Sequence, residues 1–76
     1  MNVRESIAIR LRKIREESGL SQAAAAKRIG MSANRWNNYE VGVSIPECEA
    51  LVVIADYFDV STDYLLGRTD KRDMNR

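Results

Sequence analysis

The chain has 76 residues, one cysteine and no histidine, and its formal net charge at neutral pH is +1. A chain of this length forms one small domain, and its composition excludes an internal disulfide and the usual zinc ligand sets. The first ten residues contain no apolar signal-peptide segment, and the longest apolar run, residues 50–55, is too short to cross a bilayer, so we expect a cytoplasmic protein.

Glycine and serine residues divide the chain into five predicted helices. Each of the four glycines follows a segment with helical apolar spacing, where a left-handed glycine commonly ends a helix. Serines precede three of the segments as N-caps, and Pro46 fits the first turn of the fourth. The predicted helices run from about Val3 to Gly19, from Gln22 to Gly30, over 32–41, from Pro46, and from Thr62 to Gly67. No segment shows strand alternation, so the sequence predicts an all-α domain.

The first predicted helix is amphipathic and lies in the basic part of the chain. Ile7, Leu11 and Ile14 share one face at helical spacing. Residues 1–28 hold seven basic and three acidic side chains, a net charge of +4, whereas residues 29–70 hold two basic and seven acidic ones, a net charge of −5. The amino-terminal part is therefore suited to an anionic partner.

The second and third predicted helices are joined by a very short turn. The second helix, QAAAAKRI, presents mostly small side chains, which let another helix approach closely. Only Gly30 and Met31 separate it from the next N-cap, Ser32. Two helices joined by such a tight turn with glycine form a helix-turn-helix.

The third predicted helix is rich in asparagine, although asparagine is a poor helix former. On a helical wheel, Trp36, Tyr39 and Glu40 point inward, and the asparagines point outward. The outward pole of the helix holds the three asparagines and Val41, and Ala33 and Arg35 flank it. We define the polar face of this helix as Ala33, Asn34, Arg35, Asn37 and Asn38. These residues are predicted to lie on the outside of the domain.

The chemistry of the polar face matches that of DNA base readout. An asparagine amide can pair with N6 and N7 of adenine in the major groove, Ala33 can touch a thymine methyl group, and Arg35 can reach guanine or phosphate. A solvated polar surface would explain one isolated asparagine. Three within five residues, directly after a helix-turn-helix turn, favour binding to nucleic acid.

The fourth predicted helix has more apolar residues than a single core stripe needs. Val53 and Tyr57 lie four residues apart and extend the apolar surface beyond that stripe. They can form a dimer contact, or they can be exposed apolar residues without a role, which are common. Cys48, at the start of this helix, is predicted to be a small core residue.

Several separated segments resemble the phage repressor and Cro helix-turn-helix regulators, also called the Xre family. These segments are GLSQAAAAKRIGMS, YEVG at the end of the third helix, Pro46, and IADYFDVSTDYLLGRTD. The resemblance covers about 11–70 and implies a compact five-helix domain like that of lambda repressor. It also implies a repressor of phage or bacterial type that binds a near-palindromic operator as a homodimer, with the third helix in the major groove of double-stranded DNA.

The resemblance also implies roles for individual residues. Gln22, with the helix N-terminus around Ser21, is similar to the phosphate-contacting part of the family. The polar face is similar to the positions that read base edges. Arg15 and Glu40 are predicted to form an ion pair that ties the third helix to the first; the alternative is two separate side chains that reach the surface.

The sequence departs from the family pattern at three positions. Trp36 stands where the family commonly has isoleucine or valine, and Ala25 where leucine is common. We expect the indole to fill the space that the alanine leaves, which would conserve core volume. Asp59 replaces the usual glycine after the fourth helix, and it can adopt a left-handed conformation only at some cost.

The remaining predictions concern domain limits and other classes of function. We expect the DNA-binding domain to span 1–69 and 70–76 to form a short, flexible polar tail, which either is solvated or contacts the DNA backbone. The alternative function is a protein-interaction module, such as an antitoxin or adaptor, that uses the same helices. With no histidine and no glycine-rich phosphate loop, no enzymatic activity, cofactor, membrane association or small-molecule ligand is expected.

Overall fold

The computed structural model describes residues 2–73, which contain five α-helices and no strand. The helices are α1 Val3–Glu17, α2 Gln22–Arg28, α3 Ala33–Glu40, α4 Cys48–Phe58 and α5 Thr62–Leu66. The predicted all-α class, the number of helices and their order are confirmed. Within the described range, no helix has both the length and the apolar character that a membrane span requires.

Serine side chains begin three of the helices, as predicted. The hydroxyl oxygens of Ser21, Ser32 and Ser61 accept hydrogen bonds from backbone N–H groups three residues further on, at 3.0, 3.1 and 2.9 Å. The prediction for α4 was wrong by two residues. Glu47 is the N-cap and has an extended backbone, so Pro46 precedes the helix instead of forming its first turn.

The core is formed mainly by α1, α3, α4 and α5, with small residues from α2. Trp36 of α3 is its largest fully buried side chain. The Trp36 ring lies 6.0 Å from the ring of Phe58, and Ala25 is fully buried in the same core. Ala25 and Trp36 thus belong to one core, and the exchange of volume between these two positions stays a prediction.

Asp59, at the end of α4, has the predicted backbone conformation, whereas Cys48, at its start, does not lie in the core as predicted. Asp59 ends the helix in the left-handed conformation, with φ 56° and ψ 46°. Cys48 is exposed, so its assignment to the core was wrong. The buried side of α4 passes through Ile54 and Ala55, and Cys48 lies with Val52 on the side that faces solvent.

The segment after α5 folds back onto α1. The Arg10 guanidinium donates to the carbonyl oxygens of Tyr64 and Thr69, at 2.5 and 2.6 Å, and to the Asp70 carboxylate at 2.9 Å. The backbone N–H of Ser61 donates to the carbonyl of Arg72 at 2.7 Å. The first residues of the predicted tail are thus held against the domain, because Asp70 and Arg72 supply acceptors to the half-buried Arg10 side chain and to the backbone N–H of Ser61. The boundary at residue 69 stays a prediction, and 74–76 lie outside the described residues.

Candidate nucleic-acid interface

The two sides of α3 have opposite environments. Trp36 and Tyr39 are buried, and they fix one side of the helix in the core. Ala33 and Asn34 are exposed, and the other asparagines, Asn37 and Asn38, are half-buried. None of the three asparagines is packed into the core, so α3 presents a surface of amide groups to the outside of the domain.

Arg35 does not extend outward with the asparagines. Its Nε donates to the hydroxyl of Tyr39 at 2.7 Å, and its Nη2 donates to the Glu47 carboxylate at 3.2 Å. The guanidinium is therefore directed toward the start of α4. Two of the three guanidinium nitrogens of Arg35 are thus bound within the domain.

Ser21 and Gln22 lie together at the start of α2. The Ser21 hydroxyl caps α2, and the Gln22 side chain is half-buried. The Gln22 amide nitrogen donates to Glu40 at 3.1 Å. This bond directs the Gln22 amide toward the Glu40 carboxylate of α3.

The carboxylate of Glu40 joins the first three helices. Its side chain is 0% exposed. Arg15 donates from Nε at 2.5 Å and from Nη2 at 3.0 Å, a bidentate arrangement. Trp36 donates its indole N–H to the same carboxylate, in addition to the Gln22 amide. Arg12 adds a longer contact of 3.6 Å. Arg15 and Glu40 thus form the predicted ion pair. The carboxylate also accepts hydrogen bonds from Trp36 and Gln22, which the sequence did not predict.

Two opposing effects act on the pKa of Glu40. Burial raises it, because a low-dielectric environment disfavours the charged form. Hydrogen bonds from Arg15, Trp36 and Gln22 lower it, and together they outweigh burial, so the pKa lies below its ordinary value of 4.5. The hydrogen bond with Glu40 correspondingly raises the pKa of Arg15. Both side chains of the pair are therefore charged at neutral pH.

The lowered pKa of Glu40 predicts a loss of stability in acid. The stabilisation that ionised Glu40 contributes is complete above its unfolded-state pKa, near 4.5. It is lost as the pH falls through the lower pKa of Glu40 in the folded state. We expect the free energy of unfolding, measured in urea, to fall below about pH 4.5 in the wild type. Glu40→Gln should show a shallower decline.

Glu17 provides the control for this pH profile. Its pKa is also lowered, chiefly by a hydrogen bond from Arg72, but it is at the surface, where solvent weakens such pairs. Glu17→Gln should therefore leave most of the acid dependence unchanged. If both variants retained the wild-type profile, Glu40 would not be the group responsible.

Sequence reasoning missed the residue that holds the loop after α3. Arg4 donates from Nη1 to the carbonyl oxygens of Gly42 and Val43, at 3.0 Å each. The bonds join residues almost forty positions apart, and no local pattern signals them. Val41, Val43 and Ile45 of this loop are exposed, which gives the surface beside the polar face an apolar border.

Comparisons with known proteins agree with this geometry. A family model described as "Helix-turn-helix domain" matches residues 6–66. The HTH-type transcriptional regulator ImmR of Bacillus subtilis is 34% identical over 65 residues, which cover 86% of this chain and 51% of that protein. The cryptic phage CTXphi transcriptional repressor RstR of Vibrio cholerae is 41% identical over 59 residues, 78% of this chain and 53% of that protein. The chain thus spans about half the length of these curated relatives.

A solved structure shares the fold. The solution structure of the SOS-response transcriptional repressor LexA from Eubacterium rectale superposes with a TM-score of 0.80 at 26% sequence identity. The match covers 84% of this chain and 68% of that chain. The five-helix arrangement is therefore that of a known repressor domain.

Proposed function

The chain belongs to the helix-turn-helix family of the phage repressor and Cro type, and from this premise we propose that it is a sequence-specific DNA-binding regulator of transcription. In this proposal it is a cytoplasmic repressor that binds a near-palindromic operator in double-stranded DNA as a homodimer, with α3 in the major groove. The observation that carries the proposal is the outward position of Asn34, Asn37 and Asn38 on a helix whose other side is fixed in the core.

The interface divides into positioning and reading groups. Ser21 and Gln22, at the start of α2, contact phosphate and set the position of the domain on the duplex. Ala33 and the three asparagines read base edges. Arg35 either leaves Tyr39 and Glu47 when DNA binds or contacts the backbone, because its guanidinium is already engaged.

Base readout predicts a loss of affinity that depends on the DNA sequence. After selection of bound sites from random DNA, Asn34→Ala and Asn38→Ala should each weaken binding to the selected site by about 1–3 kcal/mol. Binding to scrambled DNA of the same length should not change, because the phosphate contacts remain. Titrations by fluorescence anisotropy on both DNAs measure the difference, and equal losses on the two DNAs would contradict base readout.

One observation favours the alternative of a protein-interaction module, such as an antitoxin or adaptor. The loop after α3 exposes three aliphatic side chains, Val41, Val43 and Ile45, next to the polar face. An apolar border of this kind suits a protein partner better than phosphate. If no sequence is enriched in the selection from random DNA, this alternative replaces the proposal.

A further inference from the structure

Arg35 carries the only positive charge on α3. It is the third residue of this helix and the only basic residue between Arg28 and Arg68. In a helix-turn-helix protein, the N-terminal residues of the second helix lie against the base edges. The Arg35 guanidinium would therefore lie close to the backbone of any duplex that α3 enters, and a free cation at that place binds phosphate whatever the DNA sequence.

Two neighbouring side chains hold the Arg35 guanidinium. Nε donates to the Tyr39 hydroxyl at 2.7 Å, and Nη2 donates to the Glu47 carboxylate at 3.2 Å. Tyr39 is buried, so the core fixes the first of these acceptors. The Arg35 side chain is 48% exposed and that of Glu47 is 81% exposed. The ion pair therefore lies at the surface, where a phosphate group can compete with Glu47 for the guanidinium.

The Glu47 carboxylate is not used to cap its own helix. Glu47 is the N-cap of α4, but its side chain makes no hydrogen bond to the N–H groups of α4. The serine N-caps of α2, α3 and α5 all make such a bond. The Glu47 carboxylate lies instead beside the only cation of α3. A surface ion pair contributes little to stability, so the main effect of Glu47 is on the availability of the Arg35 charge.

We propose that Glu47 is a specificity-determining residue, because it competes with phosphate for the guanidinium of Arg35. The inference rests on the proposed function, in which α3 enters the major groove. While Arg35 is held, the affinity of α3 for DNA depends on the amide groups that read bases, and a duplex of the wrong sequence does not satisfy them. At the correct site Arg35 keeps its bonds to Tyr39 and Glu47, and contact with the backbone is left to Nη1.

The two kinds of DNA complex should respond differently when Arg35 is released. On DNA of the wrong sequence, no base contact fixes the position of α3 along the duplex, so a free guanidinium can settle on a nearby phosphate. At the correct site the base contacts fix that position, and the same guanidinium gains less. Removal of the Glu47 charge should therefore strengthen binding to wrong sequences more than binding to the correct site.

Glu47→Gln tests this difference by fluorescence anisotropy on the selected site and on scrambled DNA. We expect about fivefold tighter binding to scrambled DNA, and less than about twofold tighter binding to the selected site. On scrambled DNA, the slope of log Kd against log salt concentration should become steeper by about 0.9, because one more phosphate is contacted.

Glu49→Gln is the matched control for the change of charge. Glu49 is also exposed, two residues further along the same helix, and the hydrogen bonds of the Arg35 side chain go to Tyr39 and Glu47. Glu49→Gln therefore removes the same charge without releasing Arg35. Its affinities for the selected site and for scrambled DNA should both change by less than about twofold.

The Arg35→Gln background shows whether Glu47 acts through Arg35. In this background, Glu47→Gln should tighten binding to scrambled DNA no more than Glu49→Gln does. All three positions are exposed, and urea unfolding shows that each variant is folded before the affinities are compared. A gain that persists without Arg35, or equal effects of Glu47→Gln and Glu49→Gln, would overturn the proposal, since the ion pair would then be a surface contact without influence on DNA binding.

Binding to scrambled DNA can be measured whether or not a sequence is enriched in the selection, so the two proposals fail separately. An Arg35-dependent gain on scrambled DNA without any enriched sequence would retain the competition between Glu47 and phosphate and remove the proposed sequence-specific function. An enriched sequence without that gain would retain the proposed function and remove the role of Glu47.

Discussion

Replacement of Glu40 by glutamine is expected to lower the free energy of unfolding by about 3–5 kcal/mol, one of the largest effects of a single substitution in this domain. The carboxylate is fully buried and accepts hydrogen bonds from Arg15, Trp36 and Gln22. Glutamine has nearly the same shape, but it leaves the Arg15 charge without a counter-charge and turns an N–H₂ group toward other donors. The loss therefore comes from a stranded charge and unmatched donors, not from a cavity.

Glu47→Gln is the matched control for this experiment. Glu47 also accepts a hydrogen bond from an arginine, Arg35 at 3.2 Å, but its side chain is 81% exposed. Its replacement should cost about 0–1 kcal/mol, as is typical of surface ion pairs. Both variants can be compared by urea unfolding at neutral pH. A Glu40→Gln protein as stable as Glu47→Gln would mean that the buried carboxylate does not hold the three helices together.

Replacement of Gly67 by alanine is expected to lower the free energy of unfolding by about 2–5 kcal/mol, the sum of two costs. Gly67 ends α5 with φ 83°, a left-handed conformation that costs other residues about 1–2 kcal/mol. A Cβ at this position would lie 2.6 Å from Oγ and 2.9 Å from Cβ of Ser6. Ser6 has no room to move away, because it is buried and donates a hydrogen bond to the carbonyl of Leu65 at 3.1 Å.

Comparison with Gly19→Ala separates the cost of the left-handed conformation from the cost of the contact with Ser6. Gly19 has a similar φ of 71°, but a Cβ there would meet no atom within 4 Å. Its replacement should cost only the conformational part, about 1–2 kcal/mol. Thermal and urea unfolding of the two variants give the difference, which measures the contact with Ser6. Equal losses would show that the domain absorbs the added methyl group without strain.

The sequence predicted those parts of the fold that depend on local patterns. Ser21, Ser32 and Ser61 marked helix starts because a capping hydroxyl acts within three residues, and Gly67 marked a helix end because its backbone conformation is a local property. The inward side of α3 followed from helical periodicity, which needs no knowledge of distant residues. Asp59 was placed in the left-handed region from the resemblance to the family, which usually has glycine at this position.

Features that depend on distant contacts could not be read from the sequence. The wheel placed Arg35 at the flank of the asparagine face, and it could not show that the fold brings Glu47 within hydrogen-bond distance of the Arg35 guanidinium. Arg4 and Arg10 were counted only as basic surface, yet both bind backbone carbonyls far along the chain. Cys48 was misplaced because apolar character alone does not say which side of α4 faces the core.

The buried position of Trp36 makes its fluorescence a probe of the folded state of the domain. It is the only tryptophan in the chain, it is fully buried, and its indole N–H is bound to Glu40. The intrinsic fluorescence of Trp36 therefore reports directly on whether α3 is packed against the core, without any attached dye. Water reaching the indole would shift the emission to longer wavelength, so partial release of α3 can be distinguished from loss of helix elsewhere by comparison with circular dichroism.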